Sequence, residues 1–186
     1  MLQSIQLHHF LDASEEGYGA ASYLRLEDDK ERIHCGLLMG KSRVAPLKTI
    51  TVPRMELTAA VVSVKQHKFI IEQLDHPIHK TVFWEDSTIV LQYIRNEARR
   101  FQTFIANRVS VIHGASSPCQ WQHVDSLRNP ADYASRGFSI TEPAKLQCWL
   151  NGPSFLGQEE SEWPRPPEKI PELPKEDRER KTLKFT

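Results

Sequence analysis

The feature that most limits how this chain can fold is a change of hydrophobic period at Pro53. Before it, Ile5 to Asp12 (IQLHHFLD), Tyr18 to Leu26 and Arg32 to Met39 read as strands, with Gly17 and Gly19 punctuating the first turn. Connections this short favour an antiparallel meander. From Pro53, which suits the first turn of a helix, Leu57, Ala60, Val61, Val64, Ile71 and Leu74 recur at helical spacing and mark one face of a long helix. Thr81 to Trp84 (TVFW) is then a short, almost wholly apolar run, as expected of a central strand covered on both faces. A second helix is predicted from Ser87 to about Glu97, and a third through Phe101, Phe104, Ile105, Val109 and Ile112. Gln120 to Val124 supplies a last strand, and Asn129-Pro130-Ala131-Asp132 opens another helix. The predicted order is β-β-β-α-β-α-α-β-α.

A chain of 186 residues suits one domain plus an appendage. Half of its twelve prolines lie from Pro153 onward, mixed with charges of both signs. That shift predicts a domain over residues 1–155 and a flexible linker or tail over 156–186. Lys+Arg and Asp+Glu both number 24, so there is no global basic field, and a nucleic acid would have to be held by local patches. Cys35, Cys119 and Cys148 are odd in number and widely spaced, which argues against a disulfide framework or a structural zinc site. No stretch approaches the ~20 apolar residues of a membrane span, and no signal-peptide run opens the chain. The expectation is a soluble protein in a reducing, intracellular compartment, cytoplasmic or nuclear, without a membrane partner.

Four acidic residues stand where elements begin or end. Asp12 closes the first strand, Glu56 lies in the first turn of the long helix, Asp86 follows the central strand, and Asp132 opens the last helix. Each has an innocent reading: an Asx turn for Asp12, an answer to the helix dipole for Glu56, an N-cap for Asp86, and a capping arrangement led by Asn129 for Asp132. Together they read differently. The element order lets the first and fourth strands lie side by side and parallel, and ligands bind at such a switch point, at the carboxyl ends of the strands. Two ionised carboxylates ~4 Å apart repel by roughly 4 kcal/mol at an effective dielectric near 20. A cluster of four calls for a hard divalent cation with oxygen ligands. Two such ions would activate a water and stabilise the leaving oxygen of a phosphoryl displacement.

Asp12-Ala13-Ser14 with Gly17-Tyr18-Gly19-Ala20-Ala21 resembles the first strand and hairpin of ribonuclease H domains. Pro53-Arg54-Met55-Glu56-Leu57, Trp84-Glu85-Asp86-Ser87, and Asn129-Pro130-Ala131-Asp132 with Ser135-Arg136-Gly137 resemble the other three blocks. Together with Phe104-Ile105-Ala106-Asn107-Arg108-Val109, they are most similar to the ribonuclease H segment of BEL/Pao-type LTR retrotransposon polyproteins, over about residues 5–155. The resemblance implies an α/β, ribonuclease H-like fold with a five-stranded mixed sheet flanked by helices. It implies Asp12, Glu56, Asp86 and Asp132 as catalytic and metal-binding residues, two Mg²⁺ or Mn²⁺ ions with substrate, and hydrolysis of the RNA strand of RNA–DNA hybrids. This sequence departs from the pattern at Glu85, where a small polar residue is expected, and at Tyr133, where Leu is. Glu85 should point to the face opposite Asp86 if the strand continues. The histidine that many ribonucleases H carry before the last carboxylate is missing from Val124 to Asn129; His123 is the nearest, and reads as structural.

A hybrid must be held by shape and backbone more than by sequence. Lys41, Arg43, Lys48 and Arg54 lie on the approach to Glu56, while Arg95, Arg99, Arg100 and Arg108 cluster around the second and third helices. Either group could grip phosphates or form a solvated face; the second is denser and joins Asp86's helix. Neither a Y-x-D-D polymerase signature nor an H-x-H…C-x-x-C zinc module is present, so reverse transcriptase and integrase segments of the same polyprotein are expected as partners, not as activities of this chain. The competing function is a catalytically inactive, retroelement-derived module that binds nucleic acid or protein. Another nuclease or strand transferase on the same fold is a third reading.

Overall fold

A computed structural model describes residues 1–48, 50–96, 101–166 and 179. Three long strands, β1 (Leu2–Ala13), β2 (Gly17–Asp28) and β3 (Ile33–Val44), form the antiparallel meander. They are followed by α1 (Val52–Gln73), β4 (Lys80–Glu85), α2 (Thr88–Arg95), α3 (Thr103–His113), β5 (Trp121–His123), α4 (Asp132–Arg136) and α5 (Pro143–Asn151). The sheet order is β3-β2-β1-β4-β5, with β4 parallel to both β1 and β5. The five-stranded mixed sheet and the predicted element order are present. Helix α5 was not foreseen, because its apolar residues, Ala144, Leu146, Cys148, Trp149 and Leu150, do not share one helical face and none of its residues is fully buried.

Strand alternation sorts the sheet into two cores. On one face Leu11, Ala20 and Phe83 meet Leu57, Ala60 and Val64 of α1, Val90 and Leu91 of α2, and Ile105 and Ile112 of α3. The buried side of α1 is wider than the large apolar residues suggest. It includes Ala59, Ser63, Gln66 and Ile70, whereas Ile71 is exposed and Leu74 lies past the helix end. Small residues let the helix axis approach the sheet, and Gln66 Nε2 is satisfied by the Met39 carbonyl at 2.8 Å.

On the other face Phe10, Tyr23 and Trp84 pack with Val124, Ala131, Phe155, Leu156 and Trp163. This corrects the expected boundary after residue 155. Arg25 is wholly buried; its Nε donates to the Leu156 carbonyl at 2.9 Å and its Nη2 to the Gln158 carbonyl at 3.3 Å. Trp163 meets Trp84 edge-on at 5.9 Å, and Glu160 pairs with Lys80. Residues 156–163 therefore pack as part of the domain, and of the expected tail residues 167–186 other than Glu179 lie outside the described residues.

Truncation after Gly157 should accordingly destabilise the protein, and Trp163→Ala alone should cost about 3 kcal/mol, the range for removing a buried Trp. Thermal or urea unfolding of both variants tests this; wild-type midpoints would show that the segment contributes nothing to the core.

Candidate metal site

Register delivers the first two carboxyls. The parallel pairing of β1 and β4 runs from Gln6–Lys80 to Phe10–Trp84, so their carboxyl ends, with Asp12 and with Glu85–Asp86, emerge side by side. Helix α1 adds Glu56 from one face, and α4 adds Asp132 from the other.

Neighbouring residues perform the local tasks that the four acids could have performed. The β1–β2 turn is closed by Ser14, whose Oγ accepts the Glu16 and Gly17 amides at 3.2 and 3.3 Å. The α2 N-cap is Ser87, which accepts the Val90 amide at 3.4 Å. Asn129 accepts the Ala131 amide and donates to the Leu11 carbonyl at 2.8 Å, tying the approach to α4 onto β1. Because α1 starts at Val52, Glu56 falls beyond the first turn, where the dipole is strongest. Asp132 keeps the capping arrangement led by Asn129 and pairs locally with Arg136; turn, cap and dipole tasks are not what occupies Asp12, Asp86 and Glu56.

What they face is each other. Asp12 is 7 % exposed, and burial, with Asp86 and Asp132 nearby, raises its pKa to about 6 against the pull of a hydrogen bond from Ser135. Burial, Asp86 and Asp12 raise Glu56 to about 7, opposed by a hydrogen bond with Ser87. Asp132 Oδ1 receives Arg136 Nε at 2.7 Å. Glu85 is fully buried and shares the Phe83 face of β4; burial, Asp86 and Glu56 push its pKa well above the ordinary value. Its Oε2 is buried without a hydrogen-bond partner.

An all-carboxylate oxygen donor set suits a hard divalent ion, and Mg²⁺ in particular takes only a few carboxylates while keeping water ligands. Among the described residues no three His, Cys, Asp or Glu side chains are arranged to hold an ion as they stand. Asp132 would have to exchange Arg136 to contribute Oδ1. Ser135 and Glu85 are the participants that sequence reasoning placed least well. Ser135 belongs to the quoted Ser135-Arg136-Gly137, but only the fold shows its hydroxyl on Asp12.

Three of the arginines singled out from sequence have protein partners. Arg54 pairs with Glu179, Arg95 Nη2 donates to the Trp121 carbonyl at 2.8 Å, and Arg108 Nε donates to Thr58 Oγ1 at 3.0 Å. Arg54 and Arg108 both lie over the Phe104 ring, 4.8 and 3.4 Å from its centre. Arg99 and Arg100 lie outside the described residues. His123 pairs with Glu85 in the sheet register.

Residues 1–87 match the family described as Pao retrotransposon-like RNaseH-like domain, a span that holds Asp12, Glu56 and Asp86 and ends before Asp132. A search of curated proteins finds no match. Similar solved structures include the N-terminal RNase H domain of a Mycobacterium tuberculosis protein fused to maltose-binding protein, at 11 % identity and TM-score 0.48, covering 77 % of this chain and 98 % of that one. RNase H1 of the archaeon Halobacterium salinarum is 13 % identical at TM-score 0.44, covering 71 % and 94 %. LC11-RNase H1 from compost, in complex with an RNA/DNA hybrid, is 12 % identical at TM-score 0.46, covering 70 % and 93 %.

The shifted groups set a pH profile for the metal-free protein. Asp12 and Glu56 titrate higher folded than unfolded, so their contribution to stability is full at low pH and is lost as pH rises through about 6 to 7. Buried His8, lowered to about 3, and His9, also lowered by burial, act oppositely: below about 6.5 the unfolded chain takes up protons that the folded one refuses. Metal-free Asp12→Asn should therefore be more stable than metal-free wild type at pH 8, by on the order of a kcal/mol, with the gap shrinking towards pH 5. Melting curves at the two pH values check it; a lower melting point for the variant at pH 8 would make Asp12 a structural residue.

Proposed function

We propose that this chain, whose residues 1–87 match the Pao retrotransposon-like RNaseH-like domain, is a metal-dependent endonuclease that hydrolyses the RNA strand of RNA–DNA hybrids. The observation that carries the reading is the convergence of Asp12, Glu56 and Asp86, with Asp132 beside Asp12, at the carboxyl ends of two parallel strands, close enough for burial and mutual repulsion to raise Asp12 and Glu56. Four carboxyls brought together against their own repulsion have a use when a cation joins them.

Asp12, Glu56, Asp86 and Asp132 would hold Mg²⁺ or Mn²⁺, two ions with substrate present. Such ions supply an activated water for attack on phosphorus and charge stabilisation for the leaving oxygen. The chain's own part is placement. Ser135 fixes Asp12 by hydrogen bonding to its Oδ2, and Ser87 serves Glu56 while capping α2. Asn129 keeps α4 on β1. Arg54 and Arg108, stacked on Phe104 at the side of α1 that leads to Glu56, are candidates to meet phosphates. Reverse transcriptase and integrase segments of a common polyprotein are the proposed partners.

With Mg²⁺ or Mn²⁺ the protein should cut a labelled RNA–DNA hybrid internally, leaving 3′-hydroxyl and 5′-phosphate ends, and should leave DNA duplex intact. Asp86→Asn should lower the rate at least ~100-fold, the equivalent of about 2.7 kcal/mol or more of lost charge stabilisation. A variant as fast as wild type at saturating Mg²⁺ would remove Asp86 from the metal site. Hybrid binding without cleavage by the wild type would return the chain to a binding role.

A further inference from the structure

We propose that Glu85 is a positioning residue for the carboxyl site, gripping the Ser87 amide and so fixing the turn that presents Asp86. The role rests on the metal-site reading above and extends it to a residue that reading does not use.

Glu85 Oε1 accepts the Ser87 amide at 3.0 Å. Ser87 in turn caps α2 by accepting the Val90 amide, and its side chain lies near enough to Glu56 to pull that carboxyl's pKa down. One buried carboxyl thus holds both ends of the link between β4 and α2, with Asp86 between them. Nothing else is needed to hold Glu85 itself in place: its carbonyl accepts the Val124 amide at 3.1 Å, and its backbone pairs with His123 in β5. Side-chain substitutions should therefore leave the strand where it is.

The energetics set this residue apart from a packing residue. Its second oxygen, Oε2, is buried with no hydrogen-bond partner, and leaving a buried polar atom unsatisfied destabilises a fold. A side chain selected for packing at the end of β4, beside Phe83, would be apolar or small. Glu85 is costly to the fold and useful to the Ser87 amide, so stability and site geometry should separate when it is changed.

The test uses the whole chain as wild type, Glu85→Ala and Glu85→Gln, with three readouts: melting temperature without metal, hydrogen exchange of the Ser87 amide, and Mn²⁺ binding by electron paramagnetic resonance. Glu85→Ala should melt no lower than wild type, exchange the Ser87 amide about tenfold faster or more, and bind Mn²⁺ about tenfold more weakly, as loss of a residue supporting metal ligands commonly does. Glu85→Gln keeps a carbonyl acceptor and should restore both amide protection and Mn²⁺ affinity. If Glu85→Ala melts lower with Ser87 exchange unchanged, Glu85 is a packing residue and the proposal fails. If Glu85→Gln is as impaired as Glu85→Ala, its charge and not its acceptor matters, and the proposal also fails. Wild type that takes up no Mn²⁺ would sink the metal reading alone, while the Ser87 amide would still decide whether Glu85 holds the turn.

Discussion

Everything in this domain is arranged around the parallel contact of β1 with β4. Antiparallel neighbours would bring the start of one strand to the end of the other. Parallel ones bring two carboxyl ends together, and the chain then leaves them in different directions, one into the β1–β2 hairpin and the other into α2. The two faces of the pair are covered by different layers, α1 to α3 on one side and α4, α5 and residues 154–163 on the other. Each layer sends one acid to the shared end: Glu56 from the first, Asp132 from the second. The site is thus the place where both cores and the sheet terminate.

That geometry concentrates like charge, and the surrounding residues show how the fold tolerates it. Hydrogen bonds from Ser135 and Ser87 oppose the rise in the Asp12 and Glu56 pKa values, and Arg136 lies against Asp132. Short polar side chains next to each acid (Ser14, Ser87, Asn129) do the turn and cap work. The acids are therefore not consumed by local structure. Asp12 is oriented by a contact from across the fold, the Ser135 hydroxyl, while Asp132 keeps a local ion pair with Arg136 on its own helix.

The change of period at Pro53 and the apolar run at Thr81 to Trp84 made the strand order and the β1–β4 adjacency legible in the sequence, because strand alternation and full burial leave direct compositional traces. The four acids stood out as candidates because each reads from the sequence as lying at an element boundary, although α1 starts at Val52 and leaves Glu56 past its first turn. Less could be read where burial is shared between distant segments. Ala59, Ser63 and Gln66 are buried on α1 although their side chains carry little hydrophobic signal. Phe155, Leu156 and Trp163 look like stray apolar residues in a proline-rich tail until Arg25, more than a hundred residues earlier, is seen to hold the backbone between them. The contact of Glu85 with Ser87 depends on where the strand stops, which alternation alone leaves open.

The placement of residues 154–163 also bears on how the domain is made. A chain emerging from the ribosome has the whole sheet available well before Trp163 appears. Until residues 154–163 have followed, Phe10, Trp84 and Tyr23, all buried in the finished molecule, lack the cover that Phe155, Leu156 and Trp163 give them. Such surfaces are where nascent chains aggregate or recruit chaperones. A cut before residues 154–163 would leave that face uncovered for good, so where a protease can divide such a chain is constrained by folding as much as by protease specificity.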